Sequence, residues 1–277
     1  MNDNRSITRL GSSIKYWLYG EEGNPVVVLT HGATLDHMSF KDQIPALVEN
    51  GYRVLAWDMR GHGASVPMGR KATLQVHRED LLAIMDHAGV AKATLVGHSL
   101  GGFVSQLFTY QHPERVEALA VLGCTDISQK PKLFYRGIYL IMPRILRKMH
   151  LESFRERTLE ELSLKDSVKE YARAAMNHIP KDDFIKIIMS GVEALWTESG
   201  IPADHKIPVP FLLMHGDSDD ANGKVYQNES PEWKRRQPNC RYEIVPEAGH
   251  TAQMDNPEGF NDILIRFLDE EVSLSFE

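Results

Sequence analysis

A serine flanked by glycines is the strongest candidate for chemistry in this sequence. The pentapeptide Gly97-His98-Ser99-Leu100-Gly101 follows the apolar run Ala93–Val96 and precedes a helical pattern that begins near Gly102. A G-x-S-x-G elbow requires this strand–turn–helix context, because the turn holds its serine in a sparsely populated backbone conformation. Glycines two positions to either side remove side chains that would collide with the strand and the helix. The pattern predicts Ser99 as a nucleophile and sets the N–H of Leu100 at a helix N-terminus, which favours an oxyanion.

Twelve histidines compete for the role of the base that must take the proton of an attacking serine. His31 is expected to brace the loop that contains it. His98 is adjacent to Ser99, but consecutive residues on a tight turn point apart. His250 follows the apolar run Tyr242–Val245 after a short loop. The sequence therefore favours His250 as the general base.

An acidic loop follows the apolar run Pro210–Met214 and offers the carboxylate that a catalytic histidine needs. An imidazole that becomes cationic in the transition state requires such a carboxylate to orient it. The loop contains Asp217, Asp219 and Asp220. Aspartate-rich loops are usually solvated turns, so the residues alone leave open which of the three has this role.

Three further motifs accompany the elbow, and with them the chain resembles the α/β-hydrolase superfamily. The resemblance runs from about Val26 to Leu268. Thr30-His31-Gly32-Ala33, after the first long strand, resembles the oxyanion loop of that family. The loop Asp58–Ser65 is similar to its characteristic loop after the next strand. Ala248-Gly249-His250, followed by Asn256-Pro257-Glu258, resembles its catalytic-histidine region. These motifs are specific to the superfamily but identify no substrate.

The resemblance implies Asp219 as the acid, because the family places it three residues after the glycine that ends the strand. Asp220 stays open as an alternative, since loop geometry can favour a neighbour. Asp126 stays open as well, because some relatives take the acid from the end of the preceding strand. Gly223 departs from the family pattern, which often has a proline there.

The resemblance also implies an oxyanion hole and a two-step reaction. The backbone N–H groups of Ala33 and Leu100 are the expected donors. Ser99 is expected to form an acyl-enzyme that water then hydrolyses, with no organic cofactor and no metal. Ser99 argues against epoxide hydrolases and haloalkane dehalogenases of the superfamily, which have an aspartate at the elbow.

Short apolar runs alternate with helical patterns along most of the chain. Runs of this kind are typical of strands buried on both faces of a parallel sheet. They lie at Val26–Thr30, Val54–Trp57, Ala93–Val96, Val116–Leu122 and Pro210–Met214, with helical patterns at Leu74–His87 and Phe103–Tyr110 and a hairpin at Ser6–Leu10 and Ile14–Tyr19. The alternation predicts an α/β fold with a mostly parallel, doubly wound sheet and helices on both faces.

The alternation stops between Thr125 and about Lys206, where several helical patterns and no convincing strand occur. One stripe has the spacing of a single helix face: Phe184, Ile187, Ile188, Gly191, Val192, Leu195 and Trp196. We predict a helical cap at 125–206, inserted after the sixth strand into a core domain formed by 1–124 and 207–277.

The segment Leu133–Met149 of this cap is apolar and rich in methionine. It carries Phe134, Tyr135, Tyr139, Ile141, Met142, Ile145 and Met149. Two or three of them are expected to line a pocket for an apolar acyl or aromatic group. Arg136, Arg144, Arg147 and Lys148 lie on the same stretch, but Pro143 is expected to interrupt the helix, so no membrane partner is predicted.

The composition excludes several classes of partner. The chain has 277 residues and a formal net charge of −7, which repels nucleic acid and anionic membranes. Its two cysteines, Cys124 and Cys240, have no metal-binding spacing, and Cys124 is interpreted as a buried apolar residue. A cytoplasmic monomer or homodimer is expected.

The resulting hypothesis is a serine hydrolase that cleaves carboxylic esters or lactones of modest size. Thioesterases, cofactor-free perhydrolases and C–C bond hydrolases share the implied triad and remain alternatives. So do an acyltransferase, in which another alcohol replaces water, and a ligand-binding protein on the same fold. All three triad positions are filled, which favours an enzyme over a binding protein.

Overall fold

The computed structural model describes residues 3–129, 133–197, 199–219 and 225–272, without the side chains of 3 and 133–136. Eight strands form one sheet in the order β1-β2-β4-β3-β5-β6-β7-β8. The strands are β1 Asp3–Arg9, β2 Ser12–Tyr19, β3 Val26–Thr30, β4 Arg53–Trp57, β5 Ala93–His98, β6 Val116–Leu122, β7 Phe211–Gly216 and β8 Cys240–Val245. The first two form the predicted antiparallel hairpin, and β2 also pairs antiparallel with β4. From β4 to β8 every pairing is parallel.

Helices cover both faces of the sheet. The α-helices are α1 Gln43–Glu49, α2 Leu74–His87, α3 Leu100–Gln111, α4 Leu133–Lys148, α5 Leu151–Leu162, α6 Asp166–Asn177, α7 Lys181–Trp196, α8 Val225–Arg236, α9 Ala252–Asp255 and α10 Pro257–Glu271. On one face, strand residues such as Val28 pack with Phe103 of α3 and Trp233 of α8. On the other, Val27 packs with Phe260 of α10. Adjacent strand residues thus enter opposite layers of core, which confirms the predicted fold class.

The chain between β6 and β7 is helical. Helices α4 to α7 lie between these two strands, in the segment where the sequence shows helical patterns without alternating strands. Residues of α5, α6 and α7 form a buried cluster with Leu35 and Met68 of the core loops, and its members include Leu159, Leu162, Ala172, Met176, Phe184 and Ile187. The apolar stripe of α7 is thereby confirmed as a helix face, while the limits 125–206 of a separate cap remain a prediction.

Helix α4 continues through Pro143, so the expected interruption is wrong. A proline removes one backbone hydrogen bond from a helix, and the flanking turns of α4 retain theirs. Leu140, Ile141 and Ile145 of this helix are exposed, and so is Met149, which follows it. None of the helices in the described ranges is long and apolar enough to cross a membrane.

Candidate active site

The predicted site residues lie in loops that leave the carboxyl ends of the parallel strands. Ala33 follows β3, Ser99 follows β5, Asp219 follows β7 and His250 follows β8. Carboxyl ends of parallel strands meet at one edge of the sheet, where open α/β sheets bind ligands. Ala33, Ser99 and His250 line the same cavity at this edge.

Ser99 occupies the tight turn between β5 and α3. Its φ of 51° and ψ of −116° lie in the left-handed half of backbone space, which a non-glycine residue rarely adopts. A Cβ on Gly97 would collide with the carbonyl oxygen of Gly101, and a Cβ on Gly101 with that of Thr30. The glycines of the motif are therefore required by the close approach of strand, turn and helix.

His250 and Asp219 form a buried hydrogen-bonded pair. The Nδ1 atom of His250 lies 3.0 Å from Oδ2 of Asp219. The carboxylate is fully buried, and the histidine is 7% exposed. Because the carboxylate only accepts, Nδ1–H is the donor, which leaves Nε2 of His250 with a lone pair. This is the tautomer that a general base for Ser99 needs.

The other acidic candidates have different partners. Both carboxylate oxygens of Asp217 accept backbone N–H groups, from Glu247 at 2.9 Å and from Ala248 at 3.2 Å. Asp217 therefore holds the acid loop against the loop that carries the histidine. Asp126 pairs with Arg236 of α8 at 3.0 Å and does not orient His250. Asp220 and Gly223 lie outside the described residues.

The loop after β3 presents Ala33 to the cavity and is braced by His31. The Nδ1–H of His31 donates to the carbonyl of Gly32 at 2.7 Å, and Nε2 accepts the N–H of Met59 at 2.9 Å. Burial lowers the pKa of His31 to about 4, so this histidine stays neutral at neutral pH. In the described part of the chain, the N–H groups of Ala33 and Leu100 have no hydrogen-bond acceptor. Both are thus available to an oxyanion.

His98 connects the elbow to the loop of the base. Its Nε2–H donates to the backbone carbonyl of His250 at 2.9 Å, and the two rings are 4.9 Å apart. Burial, followed by the charge of His250, holds the pKa of His98 well below its usual range. A neutral His98 therefore supports the loop that carries His250 without placing a positive charge beside that residue.

Three positions that sequence reasoning missed shape the surroundings of His250. Tyr226 of α8 stacks on its ring at 5.2 Å. Gly123, at a φ of 58°, leaves room for the imidazole, because a Cβ there would lie 2.9 Å from its Nδ1. Asp255 of α9 accepts the N–H of Gly249 at 2.8 Å. These contacts join segments that are distant in the sequence, and no local sequence pattern predicts them.

A cavity of about 260 Å³ opens above Ser99 and His250. Its walls come from the loop after β3, from Ser99 and α3, from His250 and Tyr226 of α8, and from two helices between β6 and β7. The helices contribute Phe154, Thr158, Glu161 and Leu162 from α5, and Ile188, Gly191, Val192 and Leu195 from α7. Most of this lining is apolar, as the sequence analysis expected.

The expected contribution of Leu133–Met149 to the lining is not found among the described side chains of that segment. Phe134, Tyr135 and Arg136 lie outside the described side chains. Helix α4 packs against α7, and its residues Leu140, Ile141 and Ile145 are exposed. Helical periodicity identifies an apolar face, but only the packing order of the helices decides which face meets the cavity.

Asp36, His37 and Asp58 bring their ligand atoms within 4.8 Å of one another, as a metal site would. The carboxylate oxygens that would bind a metal already accept hydrogen bonds. Asp58 accepts the N–H of His37 at 2.8 Å and that of Ala64 at 2.7 Å, and Asp36 accepts the hydroxyl of Tyr171 at 2.6 Å. The cluster acts as a brace between loops. The other site residues present no grouping of metal ligands in the described part of the chain.

Cys124 is buried beside α3, where Gln106 donates to its sulfur at 3.4 Å. Burial raises the pKa of this thiol far above its ordinary value. The thiolate form is therefore suppressed, in agreement with the interpretation of Cys124 as an apolar core residue.

Comparison with known proteins gives consistent similarities. The chain is 26% identical over 260 residues to the dihydrolipoyllysine-residue acetyltransferase component of an acetoin cleaving system of Pseudomonas putida, covering 93% of this chain and 67% of that protein. It is 26% identical over 264 residues to an sn-1-specific diacylglycerol lipase of Mus musculus, covering 91% and 83%. The enol-lactonase of Burkholderia xenovorans LB400 has a similar structure, with a TM-score of 0.80 at 22% identity over 96% of this chain and 100% of that one. Residues 25–257 match the family described as alpha/beta hydrolase fold, to which this chain therefore belongs.

Proposed function

We propose that this protein is a serine hydrolase that cleaves carboxylic esters or lactones of modest size. Ser99 is the nucleophile, His250 the general base and Asp219 the carboxylate that orients the base. The observation that carries the proposal is the buried pair of His250 and Asp219 at 3.0 Å, in a cavity that also exposes the strained Ser99. Perturbed geometry of this kind concentrates at functional sites.

Each step of the reaction has a residue to perform it. The hydroxyl oxygen of Ser99 attacks the carbonyl carbon while its proton moves to Nε2 of His250. The N–H groups of Ala33 and Leu100 stabilise the oxyanion, and the loss of one such donor typically costs about 3 kcal/mol in the barrier. His250 then passes the proton to the departing alcohol, which leaves an acyl-enzyme. Water repeats the attack with His250 as base and releases the acid.

The cavity supports a neutral substrate with an apolar group. Its walls present Leu100, Phe103, Phe154 and the apolar residues of α7. The exposed carboxylate of Glu161, paired with Arg157 at 3.3 Å, is an acidic group of the lining and disfavours an anionic substituent nearby. The similarity to a diacylglycerol lipase and to an enol-lactonase supports the proposal.

Acyl transfer is the second candidate. The similarity to an acetyltransferase component favours acyl transfer. The same triad performs this reaction when an alcohol replaces water as the acceptor of the acyl group. Thioesterase, perhydrolase and C–C bond hydrolase activities and ligand binding without catalysis remain alternatives on this site. A soluble acceptor added to the assay separates transfer from hydrolysis, because transfer consumes the ester without releasing an equivalent of acid.

The purified protein is to be assayed on p-nitrophenyl esters from acetate to decanoate and on several lactones. Ser99→Ala is expected to reduce kcat by several orders of magnitude, because the remaining groups supply only residual catalysis. A fluorophosphonate probe is expected to label the wild type at Ser99. Ser105→Ala is a matched control, since its hydroxyl is buried and donates to Gly101 within α3.

Turnover that persists in Ser99→Ala would contradict the proposal. A wild type that neither hydrolyses the panel nor accepts the probe at Ser99 would favour a ligand-binding protein. Labelling without turnover would keep the nucleophile and move the substrate to another acyl class.

A further inference from the structure

One face of helix α7 forms a wall of the cavity above the nucleophile. The residues that line it are Ile188, Gly191, Val192 and Leu195. They follow a spacing of 3, 4 and 7 residues from Ile188, which places them on one helix face. Three of them carry branched apolar side chains. The wall therefore has a single gap, at Gly191.

Neither backbone conformation nor packing requires glycine at position 191. The residue lies within a regular helix and has no positive φ. A Cβ added there would meet no other heavy atom within 4 Å. Glycine inside a helix is destabilising relative to alanine. What the missing side chain provides is space inside the cavity.

The gap adjoins the side of the site that holds the acyl group. Leu195 packs against the core cluster that contains Leu100 and Phe103 of α3, and all three residues line the cavity. Tyr226, in contrast, stacks on His250. The departing alcohol receives its proton from His250 and must lie towards that residue. The acyl chain is then directed towards α3 and α7.

We infer that Gly191 sets the length of acyl group that the enzyme accepts, and this inference rests on the proposed ester hydrolysis. Its absent side chain opens an apolar slot between α7 and the opposite wall of α5. Esters with acyl chains well beyond acetyl fill this slot and form the preferred substrate class. Gly191 is a specificity-determining position.

The test is the acyl-chain profile of Gly191→Ala and Gly191→Leu on p-nitrophenyl esters from acetate to decanoate. In Gly191→Leu, kcat/KM for the longest ester that the wild type accepts well is expected to fall at least about tenfold relative to acetate, because a few methylenes of pocket space discriminate at this level. Gly191→Ala is expected to shift the profile in the same direction by less. A second series of acetyl esters with alcohols of increasing length is expected to keep its wild-type profile.

Gly137→Ala is the matched control. Gly137 also lies inside a helix, α4, where an added Cβ meets nothing within 4 Å, but it does not line the cavity. Both alanine variants are expected to melt at or above the wild-type temperature, and only Gly191→Ala is expected to change the acyl profile. Thermal melting thus separates loss of pocket space from loss of folding.

A folded and active Gly191→Leu with the wild-type acyl profile would overturn the inference. So would a profile change in the alcohol series alone. Failure of the proposed function has a different signature: the wild type hydrolyses no ester and the fluorophosphonate does not label Ser99. That result overturns both statements and is visible before any Gly191 variant is compared.

Discussion

At the scale of the residue, the site depends on which carboxylate faces His250. Asp217, Asp219 and Asp126 all lie near the carboxyl ends of strands, yet only Asp219 is within hydrogen-bond distance of the imidazole. Asp217 accepts backbone N–H groups of the base loop, and Asp126 pairs with Arg236 of α8. The three aspartates have the same chemistry and differ only in their partners.

Replacement of Asp219 and, separately, of Asp126 is predicted to show which carboxylate orients His250. In Asp219→Asn, the amide can donate to His250 and stabilise the wrong tautomer, so kcat on the best ester is expected to fall by about four orders of magnitude. Asp126→Asn is the control and is expected to stay within a few-fold of the wild type. Ester hydrolysis by both variants is the measurement, with circular dichroism to verify folding. A severe loss in Asp126→Asn with little loss in Asp219→Asn would reverse the assignment.

At the scale of the element, the loop after β8 that carries His250 is hydrogen-bonded to the C-terminal end of α5 and to the residues that follow it. Thr251 donates to the carbonyl of Leu162, at the end of α5, through both its N–H at 3.0 Å and its hydroxyl at 3.1 Å. Asp255 of α9 accepts the N–H of Gly249, the hydroxyl of Ser163 and the N–H of Leu164. The end of α5 and the two residues after it therefore hold the loop that carries His250, and α5 also lines the cavity.

Loss of the Asp255 carboxylate is predicted to weaken both stability and catalysis. Asp255→Ala leaves three donors without their acceptor at a residue that is 1% exposed, which typically costs about 1–3 kcal/mol per unsatisfied group. Its melting temperature and the rate of fluorophosphonate labelling at Ser99 are both expected to fall. Ser163→Ala removes one of the three bonds and is expected to show the smaller effect. An Asp255→Ala protein with wild-type melting and labelling would show that the tie is dispensable.

At the scale of the whole molecule, the core contains buried histidines that are neutral. Burial, followed by the charges of neighbouring histidines and Arg60, lowers the pKa of His77 well below its usual range. Burial, followed by the charge of His31, lowers the pKa of His62 to about 3. Burial likewise lowers the pKa of His31 to about 4. Both ring nitrogens of His77 are without a hydrogen-bond partner in the described part of the chain.

These histidines predict a protein that loses stability in mild acid. Their ordinary pKa is about 6.5 in an unfolded chain, so below that pH the unfolded state binds protons that the folded state does not. The stabilisation is complete above about pH 6.5 and declines as the pH falls, by about 1 kcal/mol per pH unit for each histidine. Melting temperatures measured from pH 8 to pH 4.5 are expected to drop most steeply below about pH 6.

His77→Leu tests this explanation. The variant removes one group that takes up a proton on unfolding, together with a buried polar ring that has no partner. Its melting temperature is expected to decline less with acid than that of the wild type and to be no lower at pH 8. His87→Leu, at the C-terminal end of the same helix, is a control for helix substitution. An acid decline in His77→Leu as steep as in the wild type would exclude this histidine as a cause.

The local signals in the sequence determined the strands and the elbow, and they singled out His250 as the candidate base. The runs at β3 and β6 and the helix α2 have the predicted limits, because apolar periodicity and turn residues act over a few neighbouring positions. Ser99 was predictable for the same reason, since its glycines are local requirements of the turn. The tautomer of His250 follows once Asp219 is its partner.

Only the tertiary structure decided the contacts between distant segments. It brought Asp219 to His250 and Asp126 to Arg236, a choice that three chemically identical side chains could not reveal. It gave the cavity wall residues of α5 and α7 and none of the described side chains of α4, and it brought Tyr226 to His250 and Asp255 to Gly249. The physical reason is the same in each case. A local pattern states which face of an element is apolar or which residue can turn, whereas the partner of a buried polar group depends on the packing of the whole chain.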